Sequence, residues 1–146
     1  EIKESFPARH YHLDYHGSSL MIHENKKIVY QLLQRIIINA AQYTDANAGD
    51  ILLVLLKTGS HCVVRCSDDG IGISLRDQKK MFEKFYRGHQ AKTYHPDGSG
   101  LGLYLAKTIA DVRGWSISCI SEPKKGTCFE VRIPLNTTKK DLAGVA

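Results

Sequence analysis

The chain has 146 residues, 42% hydrophobic and 24% charged, a composition that suits one folded domain able to bury its own core and argues against disorder. Its net charge of +5 is spread out: Lys26-Lys27, Lys79-Lys80, Lys124-Lys125 and Lys139-Lys140 fall in different predicted elements, so no nucleic-acid-binding stripe is expected. The four cysteines lack C-x-x-C spacing and no run of about 18 apolar residues occurs, which excludes a zinc knuckle and a membrane-spanning helix.

Residues 10–15 and 19–23 read as two short strands around the turn His16-Gly17-Ser18, the first suited to a sheet edge. From Asn25 onward Ile28, Val29, Leu32, Leu33, Ile36, Ile37 and Ala40 recur at helical spacing, predicting a helix of about five turns that ends near Tyr43-Thr44. Residues 51–56 and 61–67 are apolar and β-branched, and Lys57-Thr58-Gly59-Ser60 between them suits a hairpin turn. Cys62, Cys66, Cys119 and Cys128 sit in such strand patterns and read as buried free thiols. Ser74 suits the cap of a short helix over 75–82.

The stretch 87–99 has almost no apolar periodicity and contains Gly88, Pro96 and Gly98; it reads as a mobile loop, long enough to favour a functional lid. Leu101, Leu103, Leu105, Ala106, Ile109, Ala110 and Val112 restore a helical pattern to Arg113, with Gly114 as its stop. Strands near 115–121 and 127–134 follow, joined by Lys124-Lys125-Gly126, and the polar tail 136–146 is expected to fray. The whole, 1–146, is expected to be a single domain of α/β (α+β) class: a two-layer sandwich with a mixed, largely antiparallel sheet and helices on one face.

Three features carry chemistry. Asp68 ends a strand and opens Asp68-Asp69-Gly70-Ile71-Gly72, where a carboxylate can accept from the exocyclic amine of adenine while Gly70 and Gly72 let the base approach the backbone. A plain tight turn is the alternative for this stretch alone. Asn39 lies on or beside the apolar stripe of its helix, where an amide needs a partner: Mg²⁺ on nucleotide phosphates, or simply backbone. Gly98-Ser99-Gly100-Leu101-Gly102 runs into a helix whose free amides suit phosphate oxygens, though glycines here also make a flexible turn. Together, in this order, they point to an ATP site with no P-loop and no dinucleotide fingerprint.

These residues resemble the catalytic and ATP-binding domain of sensor histidine kinases, the family that shares the Bergerat-type fold of gyrase, Hsp90 and MutL ATPase domains. The N box is similar to residues 31–44, the G1 box to 68–73, the F box to 81–87 and the G2 box to 98–103, with Gly126-Thr127-Cys128-Phe129 as the terminal motif. The resemblance implies that Asp68 recognises adenine, Asn39 binds Mg²⁺ and Tyr43 lines the base pocket. It also implies that Arg87 and Gly98, Gly100, Leu101 and Gly102 approach the phosphates, that 87–99 is the ATP lid, and that Thr127 belongs to the site. Lys92 and His89 are lid candidates for phosphate contact. Phe82 and Phe85 would brace the lid and meet the helix carrying an acceptor histidine, or else pack together in the core.

Two residues depart from the family pattern: Arg35 replaces a second Asn, and Gln42 replaces a cation. Arg35 is read as a phosphate-facing charge that partly compensates for Gln42. In the gyrase-like relatives a Glu at the position of Arg35 serves as general base, a role closed to a permanently charged guanidinium. The expected function is phosphoryl transfer from Mg-ATP to a histidine on a dimerisation and phosphotransfer domain of the same parent chain, and through it to a response regulator. A nucleotide-sensing or scaffold domain of the same fold is the alternative, with a gyrase-like hydrolase behind it. The domain is expected to be monomeric and cytoplasmic; opening on Glu rather than Met, it is read as a fragment of a longer chain, with membrane anchoring of the parent left open.

Overall fold

The computed structural model describes residues 2–16 and 22–135. The elements in chain order are α1 (Ile2–Ser5), β1 (His10–His16), α2 (Lys26–Tyr43), β2 (Asp50–Thr58), β3 (His61–Asp68), α3 (Leu75–Gln78), α4 (His89–Tyr94), α5 (Gly102–Arg113), β4 (Ser116–Ser121) and β5 (Thr127–Pro134). The strands form one sheet in the order β1-β2-β3-β5-β4. Only the β1–β2 pair is parallel; the other pairs are antiparallel, so the sheet is mixed, and β1 takes the expected edge.

The apolar stripe of α2 buries Leu32, Ile36, Ala40 and Ala41 against Ile51, Val64, Cys66, Phe129 and Val131 of the sheet. Ala106 and Ala110 of α5 are fully buried in the same layer, and small residues on both helices let the two approach closely on one sheet face. The helix ends follow sequence rules. The Asn25 side chain accepts from the Lys27 amide at 2.9 Å, and Gly114 closes α5 with φ +68°, where the missing Cβ removes the left-handed penalty. All four cysteines are free; Cys62 and Cys66 are buried, and burial pushes the Cys66 and Cys119 thiols up to about 12.

Three local expectations are corrected, and one helix was not foreseen. Ile22 and His23 are not in a strand, and the rest of that reading, with the turn at 17–18, lies outside the described residues, as does the tail 136–146. The helix after Ser74 stops at Gln78 rather than Phe82. The stretch 87–99 is not a bare loop but carries α4, and α1 precedes β1 without any sequence signal having marked it. Among the described residues no helix is long and apolar enough to cross a membrane.

Candidate functional site

The second half of α2, the turn after β3, the segment 86–100 and the start of α5 enclose a cavity of about 500 Å³, within the range of small-molecule sites. Arg35, Asn39 and Tyr43, one helical turn apart, line one wall. Asp68, Gly72 and Thr127 line the floor, and Arg87, Gly98, Gly100, Leu101 and Gly102 face them from the lid side.

Asp68 is fixed where β3 ends. Its Oδ1 accepts from the Gly70 amide at 3.0 Å, and the backbone amide of Thr127, its partner across the β3–β5 ladder, donates to the same carboxylate. Burial outweighs both bonds and pushes the carboxyl pKa up to about 6. The Thr127 hydroxyl is held by Ser121 Oγ at 3.0 Å.

The turn's glycines serve protein packing. A Cβ on Gly70 would stand 2.3 Å from the Tyr43 carbonyl oxygen, and one on Gly72, at φ +68°, 1.9 Å from that of Glu122. Gly70 does not line the cavity; it lets the turn lie against the end of α2, where Ile71 donates to Tyr43 at 3.0 Å. Gly72 lines the cavity, but its missing Cβ makes room for Glu122 backbone rather than for the cavity.

At the opposite wall α5 starts without a side-chain cap, which leaves its first-turn amides available beside the cavity. Gly100, at φ +70°, accepts from the Phe85 amide at 3.1 Å and has no room for a Cβ, which would meet Phe85 backbone at 2.7 Å. The two F-box phenylalanines divide their tasks. Phe82 packs edge-on against core Phe129, whereas Phe85 supports the glycine loop with its backbone at φ +64° and leaves its ring exposed.

Arg87 lines the cavity, but its guanidinium is engaged within the lid: it donates to Pro96 O at 2.7 Å, to Ala91 O at 3.0 Å and to His95 O. Its two terminal nitrogens thus clamp the carbonyls around the end of α4, while Nε is buried without a hydrogen-bond partner. Lys92 is exposed on α4 and does not line the cavity. Sequence reasoning missed Asp77, whose carboxylate accepts from Tyr86 Oη at 2.8 Å, and His95 and Asp97 of the lid, all of which line the cavity. A polar stretch gives no periodicity by which such residues stand out.

The donors fit Mg-ATP. Among the described residues no three His, Cys, Asp or Glu side chains form a metal cage, so a cation here needs phosphate oxygens to complete its shell, as Mg²⁺ commonly does. The Asn39 amide on the wall supplies a hard oxygen, and Arg35 Nε is buried without a partner beside it.

Residues 24–137 match the family model described as "Histidine kinase-, DNA gyrase B-, and HSP90-like ATPase". The chain is 39% identical over 113 residues to Sensor protein CiaH of Streptococcus pneumoniae, covering 77% of this chain and 25% of that protein. It is 32% identical over 111 residues to Sensor histidine kinase RppB of Synechocystis sp., with 76% and 24% covered. The chain thus spans about a quarter of the length of these curated relatives. Among solved structures, a mycobacterial sensor histidine kinase, MprB, superposes with TM-score 0.79 at 19% identity, covering 91% of this chain and 88% of that one. Full-length ShkA in complex with AMPPNP gives TM-score 0.78 at 20% identity, with 94% and 29% covered.

Proposed function

The chain belongs to the family of histidine kinase-, DNA gyrase B- and HSP90-like ATPases, and from that premise we propose that it presents the γ-phosphate of ATP to a histidine on a separate dimerisation domain of its parent protein. It is an ATP-binding catalytic domain of the histidine-kinase type, with ATP and Mg²⁺ as cofactors. The observation that carries the proposal is the convergence of Asp68, Asn39 and the uncapped start of α5 on one cavity.

In this reading Asp68 accepts from the adenine amine, Tyr43 and Thr127 enclose the base, and the first-turn amides of α5 with Gly98, Gly100, Leu101 and Gly102 hold the phosphates. Mg²⁺ held through Asn39 supplies neutralisation of the charge that develops on the transferring group. Gly70 and Gly72 set the backbone that aims Asp68. Lys92 and Arg87 have supporting lid roles rather than direct ones. A histidine from outside is the nucleophile; no base for water stands at position 35, because Arg35 keeps its proton at neutral pH. The domain acts as a positioning device. The partner domain, the response regulator beyond it, the single-domain extent 1–146 and the parent's attachment to a membrane belong to the same proposal.

Mixing the domain with the histidine-bearing dimerisation domain of its parent and γ-labelled ATP tests this. Label transfer to the histidine is the expected result. Tight ATP binding with no transfer would favour the nucleotide-sensing alternative, for which Gln42 and the engagement of Arg87 within the lid speak.

Arg35 gives a second measurement. Its Nε is buried without a hydrogen-bond partner, and a turn of the guanidinium toward the cavity that Arg35 lines would bring it to a phosphate oxygen. In Arg35→Ala, ATP affinity measured by calorimetry in EDTA is expected to fall about tenfold, the worth of one charge-assisted bond, and to fall less with Mg²⁺ present. Equal affinity in both buffers would remove Arg35 from the site.

A further inference from the structure

The lid is tied to the body of the domain through Tyr94 and His95. Tyr94, at the end of α4, donates its hydroxyl proton to the carbonyl of Thr44 at 2.7 Å. Thr44 is the fully buried C-cap of α2, so the acceptor is rigid. The Tyr94 ring lies 6.4 Å from that of Tyr43, tilted by 39°, and the next residue, His95, meets Tyr43 edge-on at 6.3 Å. Both are favourable aromatic arrangements. Behind them Arg87 grips the carbonyls of Ala91, His95 and Pro96, so α4 moves as a folded unit rather than unravelling. Tyr43 and His95 line the cavity, which places this tie at its rim.

Resting on the nucleotide reading above, we propose that Tyr94 is a lid latch and positioning residue: its bond to Thr44 holds α4 over the base-binding end of the cavity and sets how fast adenine nucleotide enters and leaves. Neither bonding partner is a ligand atom, so the tie stabilises the closed lid equally in free and bound protein. Loosening it speeds passage in both directions and leaves affinity nearly unchanged. Tyr43 lines the cavity while touching Tyr94 and His95, so the latch also sets the orientation of that wall.

Tyr94→Phe keeps the ring and removes only the hydroxyl, and Tyr94 is 44% exposed, so the fold tolerates it. Stopped-flow with mant-ATP and Mg²⁺ is expected to show association and dissociation rates each rising about fivefold, as for loss of one hydrogen bond. Amide exchange at Lys92 and His95, whose N–H groups bond Gly88 and Ala91 within α4, is expected to stay unchanged, because the helix swings without breaking its own bonds. Faster exchange at these amides with unaltered nucleotide rates overturns the latch, as does faster dissociation alone, which would mean that the nucleotide itself holds the lid. Failure of the unaltered protein to bind mant-ATP overturns the nucleotide reading and the latch together, whereas the other two outcomes leave that reading intact.

Discussion

Asp68→Asn is expected to weaken ATP binding about 30-fold at pH 7.5, a value within the range for losing a hydrogen bond to a charged group, and to abolish preference for ATP over GTP. The Asp68 carboxylate already accepts from Gly70 and from the Thr127 amide, and its remaining lone pairs face the cavity. An Asn keeps one acceptor oxygen but turns an NH₂ toward donors, so one amide, or the adenine amine, meets a donor instead of an acceptor. Acidity gives the same residue a second signature. With its pKa raised to about 6, Asp68 is ionised at pH 7.5 and protonated at pH 5, so adenine affinity declines as pH falls through about 6. In Asp68→Asn that step disappears, and calorimetry across pH 5 to 8 reads both effects.

Linkage gives the stability counterpart with opposite sense. A carboxyl whose folded pKa lies above its ordinary value of 3.8 binds its proton more tightly in the folded state. Its contribution is therefore most favourable below about pH 4, is lost between pH 4 and 6, and stays lost above. The span of about two pH units corresponds to roughly 3 kcal/mol. Unfolding midpoints of the unaltered protein minus those of Asp68→Asn should shift against the unaltered protein across that window; a flat difference would mean that Asp68 is not buried as described. Keeping a carboxylate there costs stability, and binding a donor at neutral pH is the physical reason to keep it.

What the sequence alone reveals is whatever depends on local order. The 3.6-residue spacing of Leu32, Ile36 and Ala40, the Ser74 cap and the Gly114 stop announced α2, α3 and α5, and the continuous apolar, β-branched runs announced β2 and β3. Of the cavity-lining residues, Asn39, Asp68 and the glycine loop stand out by their place on those elements, whereas Tyr43 was implied only by the family resemblance. What stayed hidden depends on contacts across the chain. Nothing in His89–Tyr94 is apolar and periodic; α4 stands because the Arg87 guanidinium holds carbonyls around its end and Tyr94 reaches Thr44, fifty residues away. The parallel pairing of β1 with β2 is likewise a matter of chain path. Lys92 lies on α4 outside the cavity lining, and charge alone does not reveal which side of a short helix faces a cavity.

Gly126→Ala is expected to destabilise the domain by about 3 kcal/mol and to weaken ATP binding, although residue 126 does not line the cavity. Gly126 sits in the β4–β5 turn at φ +88°, and a Cβ there would lie 1.9 Å from the Asp68 carbonyl oxygen and 2.8 Å from its carbonyl carbon. The obstructed atoms are backbone, so no side chain can swing aside; either the turn or the end of β3 must move. The turn is itself bound in place: the Gly126 carbonyl accepts from Ser121 Oγ at 2.8 Å, and the Lys124 amide donates to Ile71 at 2.7 Å. Displacement therefore passes to Asp68 and to the Thr127 amide that supports its carboxylate. Gly59 supplies the comparison. It has φ +58° and nothing within 4 Å of its Cβ position, so Gly59→Ala carries only the left-handed backbone penalty of about 1 kcal/mol and leaves ATP binding alone. Denaturant unfolding and calorimetry on both variants separate the conformational cost from the collision; equal losses would show that the turn does not brace Asp68.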